Sequence, residues 1–161
     1  MKLYDDLLYL LINLDGVRQD RRFHPEGDAL YHSLQVFDHA LQAHAAPHLL
    51  AAALLHDIGK AIQTPDHAQI GARDLEGVLS PKVTWLVRHH MDLHHRPKRT
   101  RHLLRGTHQL RELEQLRAWD IAGRDPYATV MDPEEAIERL LVHMDCLTEG
   151  TPLHHHTQEH A

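Results

Sequence analysis

Cysteine is almost absent from this chain. Cys146 stands alone, so no disulfide can form within it, and a reducing, cytoplasmic setting is expected. On its own helix face it has only His143 for company, which predicts a small buried residue and not a nucleophile. No apolar run approaches the roughly 20 residues that span a bilayer, so no membrane partner is expected. The first segment, MKLYDDLLYLLINLDG, carries early acids and no small-residue cleavage site. It reads as an amphipathic helix and not as a secretion signal. Positive charge is also short: 17 Lys and Arg face 23 Asp and Glu, for a net charge of −6. That balance argues against long nucleic acid as a partner, because backbone binding wants a basic face. Small anionic substrates stay open, since a bound metal can reverse the local field. Internal repeats are missing, and so is the alternation of polar and apolar residues that marks strands.

What remains is helical patterning over a length that suits one domain. Leu3, Leu7, Leu10, Leu11 and Leu14 share one stripe, and Asp15-Gly16 ends it. Pro25 and Gly27 break residues 17–27 into a loop. A second helix runs from about Asp28 to His44, a third from Pro47 to Ile58, a fourth from Asp66 to Leu79. Pro81 opens a fifth, and residues 98–105 suggest a short basic turn of helix. A long helix ends near Gly123. The last starts at Asp132-Pro133-Glu134-Glu135, where a capping Asp, a first-turn Pro and early acids coincide, and it runs to Gly150. The expected fold is therefore all-α, one bundle of seven or eight helices over residues 1–150. Residues 151–161, TPLHHHTQEHA, read as a mobile polar tail whose histidines would bind metal only weakly.

Histidine is the residue in excess, 18 in 161, and imidazole is the commonest protein ligand for transition metals. Placement picks out a few. Leu49 to Leu55 is apolar without a break, so the third helix is expected to be buried on every side. His56 and Asp57 follow at its tip. An unpaired carboxylate there costs several kcal/mol, and Asp opposes the negative end of the helix dipole. A metal explains both residues; a plain C-terminal cap is the alternative. Asp120 lies on the apolar stripe of Leu113 and Leu116, where it needs either a metal or a buried partner such as Arg124. His32 flanks the second helix as either a hydrogen-bonded core histidine or a ligand. Together they offer two imidazoles and two carboxylates, a set suited to one divalent ion.

The order His32, His56-Asp57, Asp120 resembles the H…HD…D signature of the HD superfamily of metal phosphohydrolases. The words FHPEGDALYHSLQV, AAALLHDIGK and WDIAGR are similar to the HD domain attached to some bacterial tRNA nucleotidyltransferases. The similarity covers roughly residues 20–125, without any nucleotidyltransferase domain in front, so tRNA end synthesis is not implied. The resemblance implies a second ion held by His67 and His90, with His89 an alternative to His90 and a one-ion site an alternative to two. Asp57 would then bridge both ions. It further implies that Lys60 and Arg124 contact the phosphate. Asp57 and Lys60 are thus the expected catalytic residues, and Lys60, Arg124 and His24 the expected substrate contacts. His24 belongs to the HPE word with Glu26, where orienting a ligand and walling the pocket are both open.

Mixed imidazole and carboxylate ligation suits manganese, iron, cobalt, nickel or zinc, with magnesium as an activator only. The implied activity is hydrolysis by metal-activated water of small nucleotides, 2′,3′-cyclic nucleotides first. A one-metal nucleoside monophosphatase and a non-catalytic metal-loaded regulatory domain are the alternatives. Nothing in the sequence sets an oligomeric state.

Overall fold

A computed structural model describes residues 2–150. Among them there are ten α-helices and no strand, and the chain is one all-α domain. The helices are α1 (Lys2–Ile12), α2 (Ala29–Gln42), α3 (Pro47–Leu55), α4 (His67–Leu75), α5 (Pro81–His89), α6 (Asp92–His95), α7 (Pro97–Leu103), α8 (His108–Ala122), α9 (Pro133–Leu141) and α10 (Met144–Leu147). None is long and apolar enough to cross a membrane. The tail expected over 151–161 lies outside the described residues.

Helix α3 is the axis of the domain. Every residue from Leu49 to Leu55 is buried, as a helix without a polar face requires. Helices α2, α5, α8, α9 and α10 pack around it. Each of its four leucines gains roughly 1.5–3 kcal/mol from burial, which anchors the helix that ends in His56-Asp57. Helix α1 closes the far side against α9.

The elements arise locally for ordinary reasons. Asp28 caps α2 by accepting from the Tyr31 amide, and Thr107 caps α8 by accepting from the Leu110 amide. Proline stands in the first turn of α3, α5, α7 and α9.

Three boundaries differ from the pattern-based expectation. Helix α3 stops at Leu55 and the chain tightens into a 3-10 turn over Ile58–Ala61. The fourth helix ends at Leu75, where Gly77 turns the chain with φ +73°. The last helix breaks after Leu141, and α10 restarts at Met144. Cys146 on α10 is exposed and not buried as expected. This short helix packs inward through Leu147, and two neighbouring positions on so short an element cannot both face the core.

Candidate metal centre

The tip of α3 delivers His56 and Asp57 into the bundle interior, 0% and 2% exposed. Asp57 leaves helical geometry at φ −102°, ψ 6°, which lets its carboxylate turn toward neighbouring helices. Helix α2 supplies His32, α4 its first residue His67, the C-cap of α5 His90, and α8 Asp120. All four histidines are buried.

The imidazoles share one arrangement. Each Nδ1 lies within hydrogen-bond distance of a backbone carbonyl: His32 at Gly123 (2.9 Å), His56 at Ala53 (3.0 Å), His67 at Thr64 (2.8 Å) and His90 at Val87 (2.6 Å). A carbonyl oxygen can only accept, so each Nδ1 must carry the hydrogen. That fixes the tautomer and leaves four Nε2 atoms turned to one centre. Backbone acceptors of this kind are what orients metal-binding histidines.

The carboxylates sit among those nitrogens. His32 Nε2 lies 2.8 Å from Asp120 Oδ1. His56 Nε2 lies 3.2 Å from Asp57 Oδ2 and 3.5 Å from Asp120 Oδ1, yet has no hydrogen-bond partner among the described residues. Asp57 Oδ1 faces the other way, 3.2 Å from His67 Nε2 and 3.5 Å from His90 Nε2. Those two nitrogens are 3.1 Å apart. With both Nδ1 atoms already donating, a single hydrogen per ring leaves none between the two Nε2 atoms, an arrangement that a cation between them would relieve. The orphaned His56 nitrogen and this facing pair both fit a divalent ion with nitrogen and oxygen donors. His32, His56 and Asp120 form one group whose ligand atoms converge, and His56, Asp57 and His90 another.

Electrostatics tell the same story from the metal-free side. Burial opposes charge on His32, but hydrogen bonds with Asp120 and Glu26 outweigh it and raise its pKa to about 9. Burial likewise opposes charge on His56, but Asp57 and Asp120 raise it to about 10. Burial disfavours the Asp57 carboxylate, yet His56 and Lys60 hold it well below the usual range. Asp120 is also buried and is held low mainly by His32 and His56. Burial lowers the pKa of His90. Two imidazolium ions thus stand where a metal's charge would be.

Metal uptake must displace those protons. Near pH 7, binding should release about two protons per chain, measured by titration calorimetry in buffers of different ionisation enthalpy. The raised pKa values stabilise the metal-free fold fully below about 6.5, the unfolded value. That contribution fades as pH climbs through about 9 to 10. Metal affinity should rise over the same interval, and uptake without proton release would argue against His32 and His56 as ligands.

A cleft of about 440 Å³ opens onto the cluster, lined by Phe23, His24, Asp57, Lys60, His90, Met91, His94, Arg117, Asp120, Ile121 and Arg124. Two larger grooves lie elsewhere, around His48, Trp85, His108 and Glu112. Neither reaches the ligand cluster, and the smaller cleft is where the chemistry is. Lys60 Nζ donates to Asp57 Oδ2 (3.1 Å) and Gln19 Oε1 (2.7 Å). Arg124 lines the wall with its Nε buried and without a partner among the described residues. Glu26 is bonded to His24 Nδ1 at 2.8 Å and lies 3.1 Å from His32 Nδ1. This buried carboxylate links the HPE segment to the ligand His32.

Residues 29–137 match the sequence profile of the HD domain family. The chain belongs to the HD domain family. HD domains bind divalent metals, and membership places the chain in a superfamily of metal-dependent phosphohydrolases. Among similar proteins is the multifunctional CCA protein of Nitrosospira multiformis, 29% identical over 147 residues, covering 75% of this chain and 36% of the relative. That of Halorhodospira halophila is 32% identical over 123 residues, 64% of this chain and 30% of the relative. A shorter stretch of 51 residues is 43% identical to the Herminiimonas arsenicoxydans protein, 32% of this chain and 12% of the relative. The chain therefore spans about a third or less of the length of these relatives.

Within this HD domain, all six residues expected as ligands come together: His32, His56, Asp57, His67, His90 and Asp120. The ambiguity between neighbours falls to His90. His89 instead stacks on Trp85 and bonds Asp92 at 2.8 Å. The expected substrate contacts Lys60, Arg124 and His24 all line the cleft. Arg117, Phe23, Met91, His94 and Ile121 were not anticipated. Arg117 was within reach, since Arg117, Asp120 and Ile121 follow helical i, i+3, i+4 spacing on α8 and must share one face.

Proposed function

We propose that this chain is a two-metal phosphodiesterase acting on small nucleotides, with 2′,3′-cyclic nucleotides as the preferred class. The orientation of Asp57 carries the reading. Its Oδ2 faces His32 (3.7 Å) and His56, while its Oδ1 faces His67 and His90. One carboxylate between two imidazole pairs suits a bridging ligand. His32, His56 and Asp120 would hold one ion, His67 and His90 the other. Divalent ions supply an activated water and neutralise charge at a phosphoryl group.

The chain's own residues do the rest. The cleft floor holds the carboxylates of Asp57 and Asp120, which the His32 and His56 imidazolium ions balance in the metal-free protein and a metal would balance in their place, and its walls are positive, through Lys60, Arg117 and Arg124. With the floor balanced, those walls favour a phosphate. Phe23 and Ile121, 61% and 50% exposed, stand at the rim as apolar surface for a base. In the reaction, water adds across one ester bond of the cyclic diester. A P–O bond to water forms and the bond to O2′ or O3′ breaks. One proton of the water ends on the freed ribose oxygen and the other goes to solvent.

The direct test is metal-replete protein with a 2′,3′-cyclic nucleotide. The expected product is a nucleoside monophosphate with no inorganic phosphate. Release of inorganic phosphate from monophosphates, with cyclic substrates untouched, would instead support a one-metal phosphomonoesterase. The observation behind that second reading is that His32, His56 and Asp120 converge as a complete group by themselves.

Lys60→Met and Arg124→Met should slow turnover while the metals stay bound. A charge-assisted hydrogen bond is worth about 1.5–3 kcal/mol, so kcat/KM should fall roughly 10- to 150-fold. Wild-type rates in both variants would mean that the phosphate is held by other groups, with Arg117 and His24 next in line.

A further inference from the structure

The low net charge hides a sharp segregation. Residues 93–111 contain six Lys and Arg, four His and no Asp or Glu. The other 11 Lys and Arg share the remaining chain with all 23 acids. An average of −6 therefore says little about this stretch, which runs from α6 through α7 into the first turn of α8.

The cations face outward. Lys98, Arg99, Arg101, His102 and Arg105 are all exposed, whereas Thr100 is buried and bonds the Asp92 carbonyl. Lys98, Arg99 and Arg105 have no ion-pair partner among the described residues. Arg101 meets Glu114 at only 3.7 Å, and Arg96 meets Asp92 at 3.4 Å. A helix held by one buried threonine and covered in unpaired cations gains little stability from them.

The patch is continuous with the metal cleft. His94, on the helix just before α7, lines that cleft. The Arg101–Glu114 contact ties α7 to α8 one turn from Arg117, whose side chain lines it too. Arg124, just past the C-cap of α8, lines the cleft as well. Apolar groups lie among the cations: Leu103 is 66% exposed on α7, and Ile121 and Phe23 flank the cleft. Cations interleaved with apolar surface and leading to a phosphate-binding cleft match a single nucleic-acid strand better than an anionic membrane. A membrane would want a broad apolar face and no buried cleft at one end.

We infer that the basic face of α7 is a docking track for an RNA strand whose 3′ end enters the metal cleft. This rests on the phosphodiesterase reading above, and it narrows the substrate from free cyclic nucleotides to strand ends. Only a ribose with a 2′-hydroxyl can carry a 2′,3′-cyclic phosphate, which makes the strand RNA. The reaction class that supplies such ends is RNA cleavage by internal attack of the 2′-hydroxyl.

The test uses the triple variant Lys98→Glu, Arg99→Glu, Arg105→Glu, with Lys82→Glu on the groove near Trp85 as the control. Binding of a labelled single-stranded RNA of about 12 nucleotides, within the usual single-strand site range, is followed by fluorescence anisotropy across salt concentrations. The triple variant should bind at least about 10-fold more weakly and lose about 2 from the log–log salt slope, at roughly 0.7 per phosphate contact. Its kcat/KM on a cyclic mononucleotide should match wild type, while turnover of an RNA ending in a cyclic phosphate should fall. Unchanged RNA binding, or an equal effect from Lys82→Glu, would overturn the track. So would charge-dependent binding to phosphatidylserine vesicles without RNA binding. Binding is read without turnover, so an inactive protein that still holds RNA through these residues would refute the catalytic reading alone.

Discussion

Replacing Asp57 by Ala is expected to strip the centre of both ions and abolish hydrolysis. Among the described residues, the Asp57 carboxylate is the one group within about 4 Å of His32, His56, His67, His90 and Lys60 at once. Without it, His67 and His90 lose their shared anionic oxygen, and His32 and His56 keep only that of Asp120. Loss of metal removes several kcal/mol of transition-state stabilisation, and about 4 kcal/mol already corresponds to roughly 10³ in rate. Elemental analysis should fall from two ions per chain to background, measured with His154→Ser, His155→Ser and His156→Ser to silence weak sites. Unfolding in the presence of chelator is the control. In the metal-free fold Lys60 loses an acceptor and the buried His56 imidazolium loses its nearest carboxylate, so a loss of about 3–5 kcal/mol is expected there as well. Full metal content and activity in Asp57→Ala would sink the centre as described.

Gly59→Ala should be the most damaging methyl group in the protein. A Cβ at that position would meet the His67 carbonyl oxygen at 2.0 Å, its carbon at 2.8 Å and the Gly71 nitrogen at 2.9 Å. All three atoms are backbone, so no rotamer change relieves the clash and α4 must move as a unit. Overpacking usually costs about 1–3 kcal/mol, and backbone collisions of this depth belong at or above the top of that range. His67 travels with α4. Gly59→Ala is therefore expected to lower Tm and also the affinity for the ion that His67 and His90 would share. Thermal unfolding with and without metal separates the two effects. A variant as stable as wild type and with full metal content would show that the 3-10 turn does not pack against α4 as described.

The same glycine marks where sequence reasoning stopped. In the pattern Gly59 is a helix terminator, and Gly123 another. In the fold each is a point of closest approach. A Cβ on Gly123 would lie 2.7 Å from Val36 Cγ2, and this contact brings the Gly123 carbonyl to His32 Nδ1. Spacing along one helix cannot reveal that two helices touch.

Much of the centre was legible because its residues violate local expectations. Asp57 sits at the wrong end of a helix dipole, at the tip of a segment with no polar face. Asp120 interrupts an apolar stripe. Such misfits need compensation, and their chemistry limits what can provide it. His67 and His90 break no local rule, and only the family resemblance pointed to them.

The sequence by itself determined the all-helical class, the central buried helix and the His-Asp pair at its end, because hydrophobic period and capping chemistry are local properties. The tertiary structure decided which of two adjacent histidines faces the centre, since His89 and His90 differ by about 100° around one helix and both directions are chemically acceptable. It also decided that Lys60 bonds Asp57, that Glu26 links His24 to His32, and that the charge of one short helix collects beside the cleft. These depend on how distant segments meet, and no pattern within a single segment encodes that.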